Sequence, residues 1–140
     1  MLERAVAADE NVCATIALQE GREAVLLLPA LQWLASAPMG EAPAGEAPRR
    51  ILCLAPDRAS AERLAVTARV LGAGLDLRAC VVTPPEEGEG AATGPASAPV
   101  LEGDPGAALV AGLPESLLAA EAAGLFSLRA FGYLLVEGAE

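Results

Sequence analysis

The sequence predicts an α/β fold with three layers, helices packed on both faces of a mainly parallel sheet. Three observations predict it. Short continuous apolar runs, the mark of buried parallel strands, recur along the chain. Segments with helical spacing of apolar residues alternate with them. Proline or glycine punctuates most of the junctions between the two kinds of segment. Strands alternating with helices imply parallel pairing and right-handed crossovers.

Residues 2–20 carry a helical pattern, with Val6, Val12, Ile16 and Leu18 among alanines, and Gly21-Arg22 breaks it. Ala24 to Leu28 then reads as a strand and Pro29 to Ser36 as a helix. The alternative is one helix over Ala24 to Ser36; Pro29 favours strand followed by helix. Ala37 to Arg50 and Thr83 to Pro99, rich in Pro, Gly, Ala and Glu with no apolar period, read as exposed loops. Between them, Arg50 to Ala55 (RILCLA) is a buried strand ending at Pro56. Asp57 stands where a helix N-cap belongs. From Arg58 to Leu71, Ala61, Leu64, Ala65, Ala68 and Leu71 form an apolar stripe, and Gly72 and Gly74 stop the helix. A strand over about Leu77 to Val82 follows. Beyond the second loop the pattern repeats: a strand over Ala107 to Ala111, a helix opened by Pro114 and ended by Gly124, and a last strand over Gly132 to Val136.

Composition bounds what such a domain can do. At 140 residues the chain fits one domain, residues 1–140, whose core is drawn from Leu, Val and Ala with Trp33, Phe126, Phe131 and Tyr133 as the few large fillers. There are nine arginines, no lysine and no histidine. Histidine triads, histidine metal sites, Schiff bases and a P-loop lysine are therefore excluded, and neither a metal nor a cofactor is expected. The net charge of −10 opposes strong general binding to nucleic acid or to an anionic membrane. Cys13, Cys53 and Cys80 are odd in number and form no CxxC pair, and Cys53 and Cys80 lie in apolar runs, which reads as buried reduced thiols. No secretory signal and no membrane-length apolar run is present, so a cytoplasmic protein is expected.

The order of punctuation resembles the first RecA-like domain of DEAD-box RNA helicases. Gly21-Arg22-Glu23 is similar to the family's Gly-Arg-Asp turn, and Leu26 to Leu34 (LLLPALQWL) to the helix after its P-loop. Ala55-Pro56-Asp57-Arg58-Ala59-Ser60-Ala61 stands in the place of the PTRELA motif, and Val110 to Leu118 in that of the TPGR motif. Leu134-Leu135-Val136-Glu137-Gly138-Ala139-Glu140 stands in the place of the strand that ends in DEAD. The resemblance implies an incomplete RecA-like, P-loop NTPase-like domain and, by its departures, a pseudoenzyme.

Between Gly21 and Pro29 there is no room for G-x-x-x-x-G-K-[ST], the loop whose backbone N–H groups and lysine hold phosphates. At motif II, Glu137 keeps a carboxylate but Gly138 removes the second one, and Ala139 and Glu140 complete a degenerate motif. The expectation is a non-catalytic module without ATP binding that works through a protein partner or self-association. Arg58, matching the family's PTRELA arginine, is a candidate contact for RNA phosphate, as are Arg49 and Arg50. For each, a solvated or loop-end arginine is the plainer reading, and weak ATP-independent RNA binding is the alternative function.

Overall fold

The computed structural model describes residues 21–36, 49–84 and 99–138. The helical reading of residues 2–20 and the interiors of both expected loops lie outside them.

The first described element corrects the expectation of a strand. Arg22–Ala35 is a single helix, α1, with Pro29 inside it. Proline in a helix costs roughly 3 kcal/mol, because it has no N–H for the preceding turn. Here Leu27, Pro29, Ala30 and Leu31 are all buried on the sheet. Burying two leucines contributes about 3–6 kcal/mol, so packing outweighs the missing hydrogen bond.

The other elements follow the expected order. Strand β1 is Ile51–Leu54, helix α2 is Arg58–Leu71, and strand β2 is Ala79–Thr83. Strand β3 is Val100–Glu102, β4 is Leu109–Gly112, helix α3 is Pro114–Ala122 and β5 is Tyr133–Val136. Gly124 leaves α3 at φ +76°, the left-handed conformation that favours glycine at a helix exit. Only β3 has no counterpart among the strands that the sequence predicts.

The five strands form one sheet in the order β3-β2-β4-β1-β5. Ile51 pairs with Leu109 on one side and Tyr133 on the other, both in parallel register. Strands β2 and β4 are also parallel, and β3 runs antiparallel to β2. Side chains alternate between the faces with period two. Ile51, Cys53, Ala79, Val81, Leu109, Ala111 and Leu135 pack under α1 and α2. Leu52, Cys80, Val82 and Val110 pack with Leu117 and Ala120 of α3 on the opposite face. The domain is thus three-layered, with two of the described helices on one face and one on the other.

On α2, Ala61, Leu64, Ala65 and Ala68 are buried as the stripe predicts. Leu71 is not; it is 41% exposed, because the helix ends there and Leu77 packs closely over Gly72 instead. Cys53 and Cys80 are both buried free thiols. Among the described residues no helix is long and apolar enough to cross a membrane.

Candidate functional site

Helix α2 carries the chain from β1 to β2 on one face, and α3 carries it from β4 to β5 on the other. Neighbouring strands β1 and β4 therefore send their connections to opposite faces. In open α/β sheets the ligand crevice lies outside the carboxyl ends of the strands at such a switch point. Three of the segments singled out from sequence, Ala55 to Ala61, Val110 to Leu118 and Leu134 to Glu140, run out of the carboxyl ends of the neighbouring strands β1, β4 and β5.

At the end of β1, Pro56 and Asp57 turn the chain into α2. The Ser60 N–H donates to Asp57 Oδ1 at 2.7 Å, the N-cap bond. That bond holds the Asp57 carboxyl below its ordinary range, with a smaller contribution from Arg63. Arg58 follows on the first turn. Its Nε donates to Glu62 Oε1 at 2.9 Å, and a terminal nitrogen lies 3.7 Å from Glu102 of β3. At the end of β4, Gly112 lets two strands approach closely: a Cβ there would lie 2.5 Å from the Val82 carbonyl oxygen. Pro114 then opens α3, with Glu115 in its first turn and no side-chain cap.

At the end of β5, the Glu137 N–H donates to the Leu54 carbonyl at 2.9 Å and continues the parallel ladder by one residue. Glu137 is only 6% exposed. A terminal nitrogen of Arg22, the first residue of α1, lies 2.5 Å from its Oε1. Its Oε2 is buried with no hydrogen-bond partner among the described residues. Gly138 then turns at φ +72°, against Pro56. Ala139 and Glu140 lie outside the described residues.

Arg22 is one link in a longer chain of charges. It lies 3.8 Å from Glu23, and Arg63 of α2 donates to Glu23 at 3.1 Å and to Ser60 Oγ at 3.0 Å. The carboxyl ends of β1 and β5 and the starts of α1 and α2 are joined by this path. Gly21, at φ +87°, leads straight into α1, and Arg22–Ala35, the stretch where the resemblance would put a phosphate loop, is helix throughout. No family model, curated protein or solved structure matches the chain.

The arginine candidates are not brought together. Arg58 stands at the carboxyl end of β1, whereas Arg49 and Arg50 precede the strand at its other end. Arg49 donates to the Trp33 carbonyl at 2.6 Å and to Ser36 Oγ at 2.9 Å, with its guanidinium 5.1 Å from the Trp33 ring. Arg50 is buried. Its Nε donates to the Ala107 carbonyl at 3.1 Å, another nitrogen donates to the Pro105 carbonyl, and the guanidinium lies 4.4 Å over Phe131. Burial lowers its pKa, and Asp104 partly offsets this.

Chemically the site offers anchoring. Glu137 Oε1 is held by Arg22, and Gly138 beside it has no side chain. Cys53, the thiol nearest this carboxylate in the sheet, is pushed up to about 12, first by burial and then by Glu137, which leaves it an unreactive thiol. Among the described residues no three Cys, Asp or Glu side chains form a group able to hold a metal ion. The sequence marks Glu137 and the Gly21-Arg22-Glu23 turn separately. Their opposite charges are the only signal in it that they meet.

Proposed function

We propose that the chain is a helicase-like module with an incomplete RecA-type fold, which neither binds nor hydrolyses ATP and serves as a cytoplasmic interaction scaffold. The observation that carries this reading is the Arg22–Glu137 pair. The carboxylate that in the resembled family would anchor Mg²⁺ is here engaged by a guanidinium of the same chain. A divalent cation at Glu137 would sit beside the positive charge of that guanidinium, and the lost phosphate loop and second acid give nothing in return. The scaffold part draws on β5, one of the two edge strands of the described sheet, where Leu134 is 58% and Val136 44% exposed beside an edge that pairs with no other strand among the described residues.

A second reading, ATP-independent RNA binding, is favoured by Arg58 alone, since it lies at the switch-point crevice. Its engagement with Glu62 and Glu102, and Glu115 at the neighbouring strand end, weigh against phosphate binding there.

One experiment separates these readings. The purified protein is titrated with a fluorescent ATP analogue and Mg²⁺, and in parallel with single-stranded RNA at low salt, while sedimentation measures self-association. The scaffold reading expects no saturable nucleotide or RNA signal. Saturable nucleotide binding at micromolar concentration overturns it, and salt-sensitive RNA binding abolished by Arg58→Ala moves the assignment to the second reading.

A further inference from the structure

We draw no further inference here: the strongest candidate, the outer edge of β5, unpaired among the described residues, with Leu134 and Val136 exposed on the α3 face of the sheet, carries nothing beyond the reading above because nothing in the structure shows what covers it.

Discussion

Arg22 and Glu137, 115 residues apart in sequence, meet through a 2.5 Å contact between a guanidinium nitrogen and a carboxylate oxygen. Glu137 is the more buried partner, so removing the arginine strands a charge in the protein interior. Arg22→Ala is expected to destabilise the domain by about 2–4 kcal/mol, somewhat below a fully enclosed pair because Arg22 keeps some exposure to water. The apolar double variant Arg22→Met/Glu137→Leu should recover most of that loss, since two desolvated charges disappear together. Urea unfolding of both variants checks this; equal destabilisation of the two would mean that shape, not charge, makes the contact valuable.

The cap of α2 gives a pH prediction. The Asp57 carboxyl is held below its ordinary 3.8, first by the Ser60 backbone N–H. A group whose folded pKa is depressed contributes stability above its unfolded pKa and loses it as pH falls through the lower folded value. Asp57→Asn keeps an acceptor for Ser60 and removes the titration. Its melting temperature near neutrality should stay close to that of the parent, and its stability should fall less steeply below about pH 4. Asp57→Ala loses the cap as well and should melt lower across the whole range. An unchanged acid limb in Asp57→Asn would show that other carboxylates govern acid unfolding.

The two buried thiols sit on opposite faces of the sheet, Cys53 under α1 and α2 and Cys80 under α3. Burial raises the pKa of both, and only a thiolate attacks a disulfide reagent. In a Cys13→Ser variant, neither thiol should react with an aromatic disulfide at about pH 8 until the protein is unfolded, and then both should. Prompt reaction of one in the native state would show that its face of the sheet opens readily.

Gly112 closes β4 directly opposite Val82 of β2. A methyl group there would meet backbone at 2.5 Å, which a side-chain rotation cannot relieve. Gly112→Ala should cost about 1–3 kcal/mol in chemical denaturation, in the range of overpacked cores. Gly74→Ala meets nothing within 4 Å and serves as the control that should stay close to the parent.

Elements defined by local chemistry are legible in the sequence itself. Pro56 and Asp57 mark the exit of β1 and the start of α2, and Pro114 and Gly124 bracket α3, because turn and cap preferences act over a few residues. Two elements are not legible in this way. Pro29 suggests a break, but the burial of Leu27 and Leu31 that overrides it depends on a sheet assembled from distant residues. Strand β3 is a three-residue antiparallel edge with partly exposed Val-Leu-Glu, too short and too mixed to show a period. At the site, each charged residue is visible in the sequence, but their pairing is not. No local rule brings Arg22 to Glu137 or places Glu102 near Arg58.

The sheet order also sets how the chain can assemble during synthesis. Strand β1 is the first described strand to leave the ribosome, yet both of its partners, β4 and β5, come from the last third of the chain. Its backbone amides and carbonyls, and the buried Arg50 just ahead of it, have to wait for segments made much later. Such non-local pairing slows folding and leaves an apolar strand unprotected on the nascent chain. Between the translation of Leu54 and that of Val136, strand β1 therefore has at most one of its two sheet partners available.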